Sequence, residues 1–313
     1  MSIFQIKHST IYRYARPVAF GEHRLMFRPR DSFDQRLLTA KLSVKPQPAG
    51  IRWIHDVFGN CIAIIDVAAS GKELRFETSI RVDHTPQEPL DLRIDDVALT
   101  YPFAYDAEEL PDVAPMMAPT EPGNDLRRWS RRFLRAGGPT NTGHLLMTLC
   151  NAIHESFSYA RRPDGRTQPA AVTLELRRGT CRDFALLMIE AVRALGFAAR
   201  FVSGYLYVPD RDGPTRLGGG ATHAWCQVYL PGAGWVEFDP TNGIVGNRDL
   251  IRVAVARTPQ QAIPLVGTYT GAAQDFLDMN VQVNVTTSRQ GQEAATGAGT
   301  GAVAGNGAEA ATG

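Results

Sequence analysis

Cys181 stands in the run Gly179-Thr180-Cys181-Arg182-Asp183-Phe184-Ala185, where the residue pattern predicts the first turn of a buried helix. Thr180 is placed to cap that helix, with Asp183 reaching back in the Glu/Gln position of a capping box. Apolar residues recur at Ala185, Ile189 and Val192 with Leu186 and Leu195 beside them, and Gly196 sits where a left-handed cap ends a helix. A thiol at a helix N-terminus faces unpaired N–H groups and the positive end of the dipole. Both favour thiolate, the form that acts as a nucleophile. A second segment supplies partners. Thr222-His223-Ala224-Trp225-Cys226-Gln227-Val228-Tyr229-Leu230 reads as a strand, Pro231-Gly232-Ala233-Gly234 as a turn, and Trp235 to Asn242 as the returning strand. Such a hairpin brings His223 near Asp239. The two share a face only with an odd-length loop or a bulge, because a one-residue slip moves one of them to the other side of the sheet.

The elements around these residues follow from periodicity and punctuation. Residues 1–105 alternate β-rich runs (Ile11–Tyr14, Leu37–Val44, Cys61–Val67, Leu74–Val82) with turn signals such as Asp56-Val57-Phe58-Gly59-Asn60. That density of strands predicts a β-sandwich-like N-terminal domain, to which His8 belongs. Residues 106–122 form a linker rich in Pro and acid, whose prolines argue against a continuous helix or central strand. The second domain is expected over 123–285. A short helix runs from Asp125 to Ala136, and Asn141 or Thr142 caps the next, which buries Leu145, Leu149, Ile153 and Phe157. A loop through Pro163-Asp164-Gly165 leads to the run Ala171–Leu176 and the Cys181 helix. The residues after Gly196 are β-rich. The Gly-rich loop Pro209–Gly220 precedes His223, as a plain connection or as a gate. Strands are expected at Ile251–Ala256 and Val281–Val285, and the Ala/Gly/Thr-rich stretch 286–313 is expected to be disordered.

Four blocks in order resemble the transglutaminase-like superfamily. They are Gly179–Ala185, Gly196–Tyr205, Ala221–Trp225 and Gly234–Gly243. The front of the chain resembles the N-terminal domain of bacterial members, through His8-Ser9-Thr10 with Tyr12 and Tyr14, Pro17-Val18, Arg28-Pro29-Arg30 and Asp56–Asn60. The resemblance implies an α+β, papain-like transglutaminase core, with the helix bearing the cysteine packed on an antiparallel sheet. It implies that Cys181 is the nucleophile, His223 the general base and acid, and Asp239 the residue that orients the imidazole. A set of this kind attacks an acyl carbon and passes through an acyl-enzyme. Water as acceptor makes a cysteine peptidase or amidase, the favoured reading, acting on peptide or isopeptide-type amides. An amine as acceptor makes a transglutaminase, and a silent peptide-binding module is the alternative of another class. Arg182 stands where calcium-dependent animal cross-linkers carry Trp, which weakens a direct transfer of cross-linking activity.

Around the thiol, the backbone N–H of Cys181 is the natural first oxyanion donor. Tyr159, or a side chain near Glu175, is a candidate second donor. Trp225 and Trp235 either pack under the hairpin or line a substrate groove. Cys226 is an odd number of residues from His223, so it should face away, and Cys61, Cys150 and Cys226 are read as core residues. No metal or cofactor is expected, since Cys181 and His223 lack two further well-spaced ligands and no acidic loop of the calcium type occurs.

Composition limits the partners. Among 313 residues, 33 basic and 32 acidic side chains nearly cancel, which gives no global footprint for nucleic acid. Arg127, Arg128, Arg131, Arg132 and Arg135 read as one solvated helix face. No secretory pattern opens the chain and no apolar run reaches membrane-spanning length, so no membrane partner is expected. Scattered cysteines fit a reducing cytoplasm. A protein or peptide substrate is expected, while oligomeric state is not readable from these residues.

Overall fold

The computed structural model describes residues 2–86, 92–121, 123–162, 166–208 and 220–289. The N-terminal region is built on one long strand, β1 (Ser2–Leu25), followed by β2 (Gln35–Lys45), β3 (Gly50–His55), β4 (Cys61–Asp66) and β5 (Ser70–His84). In β5 the alternate residues Leu74, Phe76, Thr78, Ile80, Val82 and His84 are buried, the period of a strand with one face inward. The strands form one continuous antiparallel sheet in the order β2-β5-β1-β4-β3. β1 changes partners along its length, pairing with β5 over Ser2–Arg13 and again at Val18 and Ala19, and with β4 over Glu22–Leu25. Both halves enclose a core that includes Tyr14, Phe20, Leu25, Ile65, Leu74 and Phe76. The strand-rich domain expected from the sequence is present, but as a single sheet and not two.

Five helices follow: α1 (Leu110–Met117), α2 (Asn124–Ser130), α3 (Thr142–Ser156), α4 (Ala170–Leu176) and α5 (Cys181–Arg193). Helix α1 corrects the reading of the Pro-rich linker. Pro111 occupies the first turn, where the missing N–H has no intrahelical partner to lose, and Pro115 lies one turn on, after which the helix runs only to Met117. The expected helix over 125–136 is α2 and a 3-10 turn at Arg131–Phe133. Its arginines 127, 128, 131, 132 and 135 are exposed, as a solvated face should be. Asn141 caps α3, its Oδ1 accepting from the His144 N–H at 2.8 Å.

Helix α5 is buried at every residue but Arg182, which makes it the central helix of the second core. It packs against a five-stranded antiparallel sheet made of β6 (Ala199–Leu206), β7 (His223–Leu230), β8 (Gly234–Asp239), β9 (Ile244–Val245) and β10 (Leu250–Ala256). The order is β9-β8-β7-β6-β10. Gly196, at φ +91°, takes the left-handed position after α5.

Two further strands, β11 (Leu265–Thr270) and β12 (Phe276–Arg289), do not close this sheet. Both return to the N-terminal sheet and pair with β1. The expected strand at Val281–Val285 is therefore the middle of β12 and belongs to the other body, so the second domain does not run unbroken from 123 to 285. Residues 286–289, read as the start of a disordered tail, complete β12. The remainder of that tail, the loop 209–219 and the turn 163–165 lie outside the described residues.

The two bodies meet along β10, the edge strand of the core sheet. An edge strand exposes unpaired N–H and C=O groups, and here side-chain amides of the N-terminal region fill them. Asn60 Nδ2 donates to the Val255 carbonyl at 2.7 Å, and its Oδ1 accepts from the Val255 N–H at 2.9 Å. Gln35 makes the same two bonds to Arg252, each at 2.8 Å. Asp56 orients Asn60 by accepting from its backbone and side-chain nitrogens, both at 2.8 Å. Asn60→Ala leaves a buried N–H and C=O unpaired. It is expected to destabilise the protein by about 2–4 kcal/mol in urea unfolding, the cost of two unmade buried bonds.

Candidate active site

Cys181 opens α5. Asp183 Oδ2 accepts from the Thr180 N–H at 2.6 Å and from the Thr180 hydroxyl at 2.9 Å, holding the turn that presents the sulfur. Asp183 is in turn gripped by Arg162 through Oδ2 at 2.5 Å and Oδ1 at 3.0 Å. It is a cap with a counter-ion, as the sequence suggests. Gly179 leaves room for this cap, since a Cβ there would lie 2.8 Å from Asp183 Cβ.

The β7–β8 hairpin fixes the other two residues. Leu230 pairs with Gly234 and Cys226 with Phe238, so three residues, Pro231, Gly232 and Ala233, make the turn. The loop is odd, and the register puts Asp239 across from Trp225, on the face that also carries His223. Gly232, at φ +82°, takes a conformation that other residues rarely adopt, and a Cβ there would also lie 2.5 Å from the Arg93 carbonyl.

His223 Nε2 hydrogen-bonds Asp239 Oδ2 at 2.8 Å, with both side chains fully buried. Nδ1 has no hydrogen-bond partner among the described residues. It is the ring nitrogen left to face Cys181, whose sulfur and the imidazole act on each other by charge. The structure thus brings Cys181, His223 and Asp239 together. Burial pulls the His223 ring down. Asp239, by charge and hydrogen bond, and then Cys181 override it, and the ring is pushed up to about 10. Burial pushes the Cys181 thiol up, but His223, with Arg182, holds it below its ordinary value. Burial also works against ionised Asp239, yet His223, Asn242 and the Thr241 N–H keep it below the usual carboxylate range. Both shifts favour thiolate beside imidazolium over the neutral pair.

Two supports were not singled out in the sequence. Asn242 Nδ2 donates to Asp239 Oδ2 at 2.8 Å, and its place just after Asp239-Pro240-Thr241 is a signal that could have marked it. His154 on α3 bonds the Thr241 carbonyl through Nδ1 at 2.9 Å, and nothing in the helix pattern points to it.

The other candidates divide. Tyr159 lies in a two-residue parallel pair, opposite Gly179, and its ring sits 6.5 Å from that of Phe184. Burial, then the charge of Cys181, raise its phenol above the ordinary value, so the hydroxyl stays protonated and able to donate. Glu175 is exposed on α4 and has no hydrogen bond or ion pair among the described residues, so the structure does not join it to the sulfur. Six residues of sequence separation here span the end of α4 and a turn, and that displaces the side chain. Trp225 is fully buried and stacks on His223 with centroids 5.9 Å apart. It shields the imidazole and lines no groove. Gly204 makes space for it, since a Cβ would come within 2.7 Å of the indole. Trp235 lies under the Arg200 guanidinium, 4.0 Å from the ring centre. Cys226 faces the core with Cys150, as expected, whereas Cys61 is only half-buried at the start of β4. His8 sits in the N-terminal sheet, bonded to Tyr205 Oη at 3.0 Å. Among the described residues no group of three or more His, Cys, Asp or Glu is placed to hold a metal, and no helix is long and apolar enough to cross a membrane.

Comparison with known proteins bears on the fold of both regions. Residues 4–83 match the bacterial transglutaminase-like N-terminal region, and residues 129–240 match the transglutaminase-like superfamily. The chain contains a transglutaminase-like core. It carries the bacterial N-terminal region ahead of that core. An uncharacterized protein of Mycobacterium tuberculosis is 29% identical over 291 residues, 90% of this chain and 92% of its own length. A 104-residue stretch is 30% identical to a protein-glutamine gamma-glutamyltransferase of Pseudomonas aeruginosa, covering 30% of this chain and 15% of that protein. A crystal structure from Cytophaga hutchinsonii, named a "putative cysteine protease", shares the fold with a TM-score of 0.68 over 92% of each chain at 20% identity.

The charge state is open to a direct measurement. Iodoacetamide at pH 6 is expected to alkylate Cys181 faster than Cys61, Cys150 or Cys226, because a thiol with a pKa of about 8.5 is almost wholly protonated there. Peptide mass analysis over a pH series would show it, and equal rates at all four thiols would contradict the ion pair. The pair also has a stability signature. The folded ring titrates near 10 and the unfolded one near 6.5, so its contribution is complete below pH 6.5 and is lost as the pH rises towards 10. The difference in urea stability between wild type and His223→Gln is expected to shrink across that window.

Proposed function

We propose that this protein is a thiol acyl-enzyme that hydrolyses peptide or isopeptide-type amides. The observation that supports the reading best is the fully buried His223–Asp239 contact, with the remaining imidazole nitrogen turned to a thiol at a helix N-terminus.

The Cys181 thiolate adds to the amide carbonyl, and negative charge collects on the carbonyl oxygen. The Cys181 N–H, at the free start of α5, is the first donor to that oxygen. The Tyr159 hydroxyl is the second. The imidazolium of His223 gives its Nδ1 proton to the leaving amine as the C–N bond breaks, leaving a thioester on Cys181. Neutral His223 then takes a proton from water, hydroxide adds to the thioester, and the carboxylic acid leaves as the thiolate re-forms. Asp239 holds the ring with Nε2–H towards itself throughout and stabilises the imidazolium. Trp225 and Asn242 are positioning residues for these two.

The partial likeness to a protein-glutamine gamma-glutamyltransferase favours a second reading, in which an amine takes the place of water in the last step. The two are told apart by adding a primary amine to the acyl-enzyme and weighing the products. Four free thiols fit a reducing compartment.

Cys181→Ala is expected to abolish turnover and acyl-enzyme formation while leaving the thermal melt close to wild type. His223→Ala is expected to be nearly as damaging. Asp239→Ala should retain more rate, since triad members act as a unit and their losses do not add. Single-turnover assays on one chromogenic amide order the three, and full activity in Cys181→Ala would remove the mechanism.

A further inference from the structure

We propose that this chain forms a two-fold dimer in which the acidic segment 106–112 of each copy meets the arginines 127–135 of the other.

Charge in this part of the chain is sorted by sign. Residues 94–126 hold eight acidic side chains and no lysine or arginine, and residues 127–154 hold five arginines and no acidic side chain. The whole chain is balanced at a formal +1, so both blocks are local. Each is also left with few counter-ions. Among the described residues, Arg127, Arg131, Arg132 and Arg135 are exposed and make no ion pair, and Arg128 has only Asp125, at 3.4 Å and in solvent. Asp106, Glu108 and Asp112 are exposed and make no ion pair either, Asp106 Oδ1 accepting only from the Glu108 N–H at 2.8 Å. Glu109 accepts from the Tyr229 hydroxyl, a neutral donor. The two blocks are not paired with each other.

The fold holds them apart on one stretch of surface. Val113 fixes α1 and Leu126 fixes α2, both buried. Between the helices, the Thr120 and Glu121 N–H groups donate to Glu190 Oε2 at 2.9 and 3.1 Å, and Arg193 Nε donates to the Met116 carbonyl at 2.8 Å. Residues 118–123 alone separate α1 from α2, a reach of about 25 Å at most. The acidic and basic faces are thus neighbours, each tied to the frame of α5 and unable to fold onto the other.

Charges fixed in this way meet their opposites only in another molecule. A two-fold axis makes the contact twice, acid to arginine and arginine to acid. One exposed ion pair contributes little, but here a whole block faces a block, and guanidinium groups hold carboxylates through paired hydrogen bonds. Nucleic acid or an anionic membrane would be drawn to the arginines and repelled by the acidic block one connection away. A second copy satisfies both.

Sedimentation velocity on the full chain reads the association. Wild type is expected to be dimeric in about 0.01 M salt, where the Debye length is about 30 Å, and monomeric in about 1 M salt, where it is about 3 Å. The variant Arg127→Glu, Arg128→Glu, Arg131→Glu, Arg132→Glu and the variant Asp106→Lys, Glu108→Lys, Asp112→Lys should each be monomeric in low salt, because like charges then face one another. Mixed in equal amounts they should form a dimer of one copy each, with one contact native and the other reversed on both sides. Where a reversed chain fails to fold, Arg127→Gln, Arg128→Gln, Arg131→Gln, Arg132→Gln and Glu108→Gln, Asp112→Asn read the same loss of dimer. A wild type that stays monomeric in low salt would overturn the proposal, as would a mixture that stays monomeric or a dimer that both variants leave intact. Low-salt binding of single-stranded DNA by a monomeric wild type, lost in the arginine variant, would assign the arginines to nucleic acid instead.

Discussion

The site depends on one buried contact, that between His223 and Asp239. Neither group would be charged alone in the core, because burial favours the neutral form of each. Together, and with Asn242 and the Thr241 N–H on the carboxylate, they remain ionised without solvent. The imidazolium then favours the ionised form of the thiol beside it, against the pull of burial. Each charge in the row is made possible by the next. The row begins with a three-residue turn that sets the register of two strands.

The rest of the core serves to hold that row still. Helix α5 is wrapped by apolar residues and anchored at its far end by the buried pair Glu190–Arg193. Glu190 also receives Thr120 and Glu121, which ties the Pro-rich connection to the helix that carries the thiol. On the far side of the sheet, β10 has its open edge filled by Asn60 and Gln35. The Arg252 side chain bridges Glu237 and Asp34, each at 2.5 Å. The sheet that presents His223 and Asp239 is thus braced from the N-terminal region by amides and charges.

What could be read in advance was whatever is local. The cap Thr180–Asp183, the glycine after α5 and the odd-turn condition on the hairpin all lie within a few residues of the feature they determine, and all are present. Roles that depend on distant parts of the chain were not visible. Asn60 and Val255 are 195 residues apart, so the Asp56–Asn60 turn could be recognised as a turn but not as the filler of another sheet's edge. The strand at Val281–Val285 was visible as a strand, but nothing in an alternating pattern names its neighbour, and it joined β1. Glu175 was placed near the sulfur by counting residues, and the fold turned it outward. Trp225 could be read as packing under the hairpin or as lining a groove, but the pattern does not show that Val202, Ile244 and Leu250 pack against it.

The pairing of β1 with β12 has a consequence for synthesis on the ribosome. The first strand to emerge finds one of its neighbours only when residues 276–289 have followed it, after the entire core has been made. The segment that matches the N-terminal family, residues 4–83, therefore lacks one of the neighbours of its own first strand. Expressed alone it would present the side of β1 that β12 normally occupies as an open row of backbone donors and acceptors, a template for self-association. The boundary that similarity draws along the chain and the boundary of the sheet that β1 organises fall in different places.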